Sequence, residues 1–175
     1  LGILVLGLLW CGVGFASDVS YLCYEKVRSE KFIFQNHFAV MRFSISANGN
    51  FIVAGGYDQE VILFNKESGT PLWTYGTGET ISKVVLSEDG NYIVASSYKY
   101  IGTECDYQST IYVFERNSNT TLWEYQFDCY VQTVSVSADG QYIVAADRDK
   151  HILYLFGKDS STPIWTFEAG ESNNI

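Results

Sequence analysis

The sequence is poor in basic residues, histidine and proline, and each shortage narrows the range of possible functions. Only 11 lysines and arginines stand against 20 acidic residues, which gives a formal net charge of −9. This balance argues against a nucleic-acid partner and against binding to an anionic membrane surface, because both require a basic patch. The two histidines, His37 and His151, are too few for most transition-metal sites. With 2 prolines but 15 glycines, the chain suits many short strands joined by tight turns.

Catalytic motifs are also missing from the 175 residues. We find no Ser-His-Asp set, no Cys-x-x-Cys and no phosphate-binding loop in the sequence. A hydrophobic content of 47% and an aromatic content of 16% nevertheless indicate a folded chain with a sizeable core. We therefore expect a folded protein that is not an enzyme and that holds neither a cofactor nor a metal.

The first 16 residues, LGILVLGLLWCGVGFA, differ from the rest because they carry no charge. They are short for a membrane span, which needs about 20 residues. They resemble the apolar part of a secretory signal, and Gly14-Phe15-Ala16 fits its small-x-small cleavage site. Residues 17–31 would then form an N-terminal linker. We expect a secreted, cell-surface or periplasmic protein, which touches a membrane only if residues 1–16 stay uncleaved as an anchor.

Two sequence segments recur along the rest of the chain. One has the pattern Ser-x-(Asp/Asn)-Gly-x-(Phe/Tyr)-Ile-Val-Ala and occupies 46–54, 87–95 and 137–145, with its glycines 41 and then 50 residues apart. The other is centred on a tryptophan, at Trp73, Trp123 and Trp165. Most intervals are fixed, but the stretch from the Ile-Val-Ala strand to the next Phe is 10, 19 and 11 residues long. The length of one loop thus varies between repeats, whereas the rest of the repeat unit keeps its length.

Each repeat unit predicts four short strands, and four strands in a period near 41 residues form one β-propeller blade. We predict an all-β fold over residues 32–175, with full blades at about 40–76, 81–127 and 131–168. The three tryptophans would be buried as packing anchors between blades. Three blades do not close a ring, since propellers typically have about 4–8. We expect either a piece of a longer chain, which we favour, or several copies that assemble.

The first segment resembles the opening hairpin of WD-repeat blades. The stretch 62–78, ILFNKESGTPLWTYGTG, is similar to the tryptophan-docking repeat of pyrroloquinoline-quinone propellers. Quinone enzymes of that kind bind calcium and carry a catalytic acid within a complete propeller. Only the packing motif is matched here, so the resemblance implies a propeller fold but carries over neither the cofactor nor the activity.

Strand alternation places the variable loops and the connections between blades on one face. We expect a protein partner to bind there, on an exposed loop that includes Tyr100, Asp106 and Tyr107, together with Asp147 and Asp149 of the next blade. A merely tolerated insertion is the alternative.

The same face should bring Cys105 close to Cys129, so we predict a disulfide between them; two free thiols are the alternative. The triplet Asn119-Thr120-Thr121 is a glycosylation sequon, which agrees with export.

The sequence therefore predicts a non-enzymatic propeller scaffold for protein–protein interaction outside the cytoplasm. Two other hypotheses remain open at this stage: a fragment of a quinoprotein-like cofactor-binding enzyme, and a structural subunit of a surface assembly.

Overall fold

The computed structural model describes residues 40–102 and 106–169, and the predicted signal and linker lie outside these ranges. The described residues form an all-β fold of three four-stranded sheets, which confirms the predicted fold class. The strands are β1 (Val40–Ile45), β2 (Phe51–Gly56), β3 (Glu60–Asn65), β4 (Trp73–Gly76), β5 (Thr80–Leu86), β6 (Tyr92–Tyr100), β7 (Tyr107–Glu115), β8 (Thr121–Phe127), β9 (Val131–Val136), β10 (Tyr142–Asp147), β11 (Ile152–Gly157) and β12 (Pro163–Glu168).

Each sheet is an antiparallel meander in chain order, which is the topology of a propeller blade. We call β1–β4, β5–β8 and β9–β12 the first, second and third blades. The first hairpin of each blade is fixed by its turn. In the third blade, the Ser137 hydroxyl donates to Asp139, whose carboxylate also accepts the Gln141 amide, while Gly140 adopts φ +71°. The repeated Ser-x-(Asp/Asn)-Gly pattern is therefore a turn motif.

Most of the hydrophobic core lies between blades, where one sheet covers the next, and a smaller cluster of Ala54, Ile62 and Phe64 belongs to the first blade alone. One cluster joins the first blade to the second through Val53, Leu63, Val84 and Phe114. A second cluster joins the second blade to the third through Val113, Val134 and similar residues. Val84 and Val134, which lie at corresponding places in the first strands of the second and third blades, are 1% and 2% exposed.

The tryptophans mark the same interfaces. Trp73 packs on the Phe114 ring with centroids 5.4 Å apart, and Trp123 packs on the Phe156 ring at the same distance. Trp165 occupies the corresponding place in the third blade but is 43% exposed, so the expectation that it is buried was wrong. The physical reason is that no further blade lies against β12 among the described residues.

Candidate functional site

The meander topology divides the molecule into two faces. We call the face formed by 57–59, 77–79, 101–102, 106, 128–130 and 148–151 the loop face. Backbone hydrogen bonds tie its segments together, from Thr77 to the Gln59 carbonyl and from Arg148 to the Tyr130 carbonyl. The opposite face, which we call the turn face, holds the Asp-Gly and Asn-Gly turns. Backbone hydrogen bonds link neighbouring turns there: the Ala47 amide donates to the Glu88 carbonyl, and the Glu88 amide donates to the Ala138 carbonyl.

The longest variable segment is a projecting hairpin on the loop face, not an irregular loop. The sequence predicts an exposed loop that includes Tyr100, Asp106 and Tyr107, but β6 and β7 stay paired out to the Tyr100–Tyr107 pair. The tip is closed by the Asp106 carbonyl, which accepts hydrogen bonds from the Ile101 and Gly102 amides. Strand pairing therefore holds Tyr100 and Tyr107 in place on a rigid support.

Four tyrosines come together along this hairpin and its neighbour. We call Tyr98, Tyr100, Tyr107 and Tyr130 the tyrosine patch. The Tyr107 ring contacts the other three edge-to-face, with centroids 5.7, 5.6 and 5.9 Å away, and Tyr98 contacts Tyr130 at 5.4 Å. Burial raises the pKa of Tyr98, and the nearby tyrosines, Tyr57 first, raise it further. Tyr100, at 69% exposed, offers an open ring face beside these packed rings.

The edge of the tyrosine patch nearest the third blade is held by an arginine. The guanidinium carbon of Arg148 lies 5.0 Å from the centroid of the Tyr130 ring, and its Nε lies 2.8 Å from Asp149. The other Asp149 oxygen accepts the Tyr130 amide at 3.3 Å. A cation, a carboxylate and an aromatic ring thus fix one another, which is why Asp149 helps to support the patch.

An ion pair between an exposed lysine and a mostly buried glutamate supports the base of the hairpin. Lys99 lies 2.9 Å from Glu79, a carboxylate whose side chain is only 11% exposed. The Ser97 hydroxyl donates to the other oxygen of Glu79. Glu79 lies in the connection between β4 and β5, whereas Ser97 and Lys99 lie on β6. These contacts therefore join the projecting part of β6 to the connection between the first and second blades.

The two other predicted aspartates of the site, Asp106 and Asp147, differ in their exposure to solvent. Asp106 is exposed at the hairpin tip, at φ +58°, which is a conformation that aspartate tolerates. Asp147 is 4% exposed, and its carboxylate accepts the amides of Asp149 and Lys150. The prediction that Asp147 contacts a partner was therefore wrong, because its side chain is buried and its Oδ1 is committed to the turn between β10 and β11.

The remaining predicted residues are a cysteine pair and a sequon. Cys129 is fully buried on the loop face and is disulfide-bonded. Its predicted partner, Cys105, lies outside the described residues, so the pairing stays a prediction. Asn119 is exposed in the β7–β8 connection on the turn face, away from the tyrosine patch.

Metal and membrane features can be assessed over the described ranges only. Among residues 40–102 and 106–169, no three or more His, Cys, Asp or Glu side chains are grouped so that they could hold a metal ion. In the same part of the chain, no helix has the length and hydropathy required to cross a membrane.

Comparison with protein-family models connects this architecture to known sequences. The model for the WD domain, G-beta repeat, matches residues 28–65 and 120–154. The two matches support a WD-repeat family. WD repeats commonly mediate protein–protein interaction and are typically not enzymes. The curated proteins contain no match to this chain.

The second matched repeat is offset from the blades. The match at 120–154 includes β8, which is the last strand of the second blade, and then continues through β9 and β10 into β11 of the third. One sequence repeat therefore contributes to two neighbouring sheets. The similarity to quinone propellers has no further support and stays a prediction.

Sequence reasoning missed two members of the tyrosine patch, Tyr98 and Tyr130. A usable signal was present for Tyr98, because it stands two residues before Tyr100 and alternate residues of a strand share one side. Finding it required reading the insertion as a continuation of β6. Tyr130 had no comparable signal, since only the packing of the third blade on the second brings it to the hairpin.

Proposed function

We propose that this protein is a non-enzymatic scaffold that binds a protein partner through the tyrosine patch. The observation that supports the proposal is the edge-to-face cluster of four tyrosines on a projecting, strand-paired hairpin. Tyrosine is enriched in protein interfaces because it offers a large rigid contact area and a polar hydroxyl at low entropic cost. The open ring of Tyr100, 69% exposed, supplies contact area, and Tyr57, which lies outside the patch on the same loop face and is 55% exposed, adds to it.

We further propose that the protein acts outside the cytoplasm, as a secreted, cell-surface or periplasmic protein. The disulfide at Cys129 supports this location, because such bonds persist mainly in oxidising compartments. The sequon at Asn119 agrees with it, and its place on the turn face would keep a glycan clear of the tyrosine patch.

Site-specific photo-cross-linking on material from the native source tests the binding proposal. A photoreactive phenylalanine analogue replaces Tyr100 in one protein and Leu72 in a matched control; Leu72 is 47% exposed on the turn face. We expect a discrete adduct from position 100 and none from position 72.

Competition then decides whether the adduct is specific. Excess unlabelled wild-type protein should abolish the adduct, whereas unlabelled protein with Tyr57→Ala and Tyr100→Ala should not. Equal adducts from both positions, or equal competition by both proteins, would disprove binding through the tyrosine patch.

A further inference from the structure

The loop face carries more carboxylates than cations along its described segments. The carboxylates belong to Asp58, Glu79, Asp106, Asp128 and Asp149. The cations are Arg148 and Lys150, to which Lys99 at the base of the hairpin adds a third. The side of the protein that bears the tyrosine patch is therefore acidic.

The acidic residues that remain after ion pairing lie beside exposed tyrosines. Each of the three cations has a carboxylate at 2.9, 2.8 or 3.5 Å, in the pairs Lys99–Glu79, Arg148–Asp149 and Lys150–Asp128. Asp58 and Asp106 are exposed and form no ion pair with any residue of 40–102 and 106–169. The charge that stays unbalanced on this face is therefore negative.

Arg148 shows how the tyrosine patch holds a cation. Its guanidinium carbon lies 5.0 Å from the centroid of the Tyr130 ring, and its Nε pairs with Asp149. The hydrogen bond to Asp149 and the charge of that carboxylate raise the pKa of Arg148, and Tyr130 and Tyr107 raise it further. A tyrosine ring and a nearby carboxylate thus favour a guanidinium at this edge of the patch.

The hairpin tip carries the same two chemical groups, in Tyr100 and Asp106. Tyr100 pairs with Tyr107 across the hairpin, and Asp106 directly precedes Tyr107. The Tyr107 ring meets the Tyr100 ring edge-to-face at 5.6 Å, and a Cβ added to Gly102 would lie 3.7 Å from the Tyr100 ring. The Tyr100 ring is thus supported by its neighbours, yet it is 69% exposed. No cation lies over it among the described residues.

A second tyrosine and aspartate stand together in the β2–β3 connection. Tyr57 is 55% exposed, and the exposed Asp58 follows it in the chain. Tyr57 lies close enough to the patch that, after burial, it is the group that most raises the pKa of Tyr98. The loop face therefore offers two exposed tyrosine rings, each near a carboxylate that no cation of the described residues neutralises.

On the basis of the proposed function, we propose that the partner binds the tyrosine patch through arginine side chains. One guanidinium lies over the open face of Tyr100 and pairs with Asp106, and a second occupies the equivalent place at Tyr57 and Asp58. Arginine suits both contacts, because its planar guanidinium stacks on aromatic rings and forms paired hydrogen bonds with a carboxylate. The occupant is thus an arginine-bearing segment of another protein.

Other occupants match the unbalanced charge less well. A second copy of this chain has a formal net charge of −9 and would be repelled by an acidic face. Nucleic acids and anionic membranes would be repelled by the same carboxylates.

The experiment titrates the full chain with the probe peptide acetyl-Arg-Gly-Arg-Gly-Arg-amide. A second peptide replaces each arginine with citrulline, which keeps the planar shape but has no charge. The tyrosine rings of the protein carry ¹³C, and Tyr100→Phe assigns the Tyr100 resonance. We expect the arginine peptide to shift this resonance saturably and the citrulline peptide to leave it in place.

Two double variants test the carboxylates. Asp58→Asn with Asp106→Asn should raise the Kd of the arginine peptide about fivefold, as expected for the loss of two exposed ion pairs. Asparagine tolerates the positive φ of position 106, so the backbone is kept. The matched control is Glu67→Gln with Glu88→Gln, which removes two exposed carboxylates from the turn face and changes the net charge equally. It should leave the Kd nearly unchanged.

Three results would overturn the inference. The Tyr100 resonance could stay in place with the arginine peptide, or it could move equally with both peptides, which would make the charge irrelevant. Alternatively, both double variants could weaken binding equally, which would assign the effect to net charge rather than to Asp58 and Asp106.

Photo-cross-linking at position 100 separates these failures from a failure of the proposed function. A specific adduct together with an unmoved Tyr100 resonance would refute arginine recognition alone. Absence of the adduct would refute the tyrosine patch as a binding site, and the inference with it.

Discussion

The indole nitrogen of Trp123 lies 2.7 Å from the carbonyl oxygen of Lys158, 35 residues further along the chain and in the next blade. Trp73 makes the same bond to Arg116 across a separation of 43 residues. Each bond fixes the position of one sheet relative to the next, because the donor lies on the last strand of one blade and the acceptor just after the third strand of its neighbour. The indole N–H therefore adds a directional hydrogen bond to an interface that is otherwise apolar.

Trp123→Ala should destabilise the protein far more than Trp165→Ala. Loss of a packed tryptophan costs roughly 3–5 kcal/mol, whereas an exposed ring with little packing costs less than about 1 kcal/mol. Urea unfolding, followed by far-UV circular dichroism, compares the two variants with the wild type. Equal losses of the free energy of unfolding would contradict the difference in packing between the two sites.

Gly140→Ala should be more destabilising than Gly49→Ala. Both glycines have positive φ, +71° and +68°, so both alanines pay a backbone cost of about 1–2 kcal/mol. Only at Gly140 would the added Cβ lie 2.1 Å from the Tyr92 ring, since nothing lies within 4 Å at Gly49. The difference between their thermal unfolding midpoints isolates the effect of the clash. If the two midpoints coincide, Gly140 does not pack on Tyr92 as described.

Asp139→Asn should reduce the loss of stability in acid without a large loss at neutral pH. Hydrogen bonds from the Ser137 hydroxyl and the Gln141 amide lower the pKa of Asp139 below its usual 3.8. Its stabilising effect is therefore present above pH 3.8 and is lost as the pH falls through the lower folded-state pKa. Asn48 already makes the equivalent bonds to Ser46 and Asn50 without a titrating group.

The measurement for Asp139→Asn is urea unfolding at several pH values between neutrality and strong acid. Asp139→Ala serves as the control, because it removes the hydrogen bonds at every pH and should be destabilised throughout. Identical pH profiles for wild type and Asp139→Asn would show that this carboxylate does not contribute to acid stability.

Non-reducing peptide mapping should recover Cys105 and Cys129 in one linked peptide. The bond would close the projecting hairpin onto the start of the third blade. In the chain-entropy model a loop of this length is worth about 3 kcal/mol, so reduction should lower the free energy of unfolding by about that amount. Separate peptides with free thiols, or a link from Cys129 to Cys23 instead, would refute the predicted pairing.

The blade fold could be predicted because its determinants are local and recur. The Ser-x-(Asp/Asn)-Gly turn and the tryptophan strand each specify a conformation within a few residues. The exposure of Trp165 could not be predicted in this way, since an identical residue is buried or open depending on whether a neighbouring blade covers it. Asp147 was misread because a carboxylate among charged residues looks solvated, and only the folded turn directs it to backbone amides.

The site was only partly predictable for a related reason. The tyrosine-rich insertion was placed on the correct face, because strand alternation alone determines which connections share a side. Its extension of β6 and β7 was missed, since the tip turns through Gly102 and Asp106 at positive φ rather than through a two-residue hairpin turn. Tyr130 joined the patch only through the packing of two blades.

The repeated contact between a Phe-x-Lys or Phe-x-Arg strand and a tryptophan has a consequence for how such chains change over time. Because Arg116 and Lys158 meet their tryptophans in the same way, removal of residues 77–126, one period from Trp73 to Trp123, would again bring together a matching donor and acceptor. Duplication or loss of one whole period thus leaves every remaining interface compatible. The blades can therefore replace one another at their packed interfaces, whereas the connecting loops differ from blade to blade.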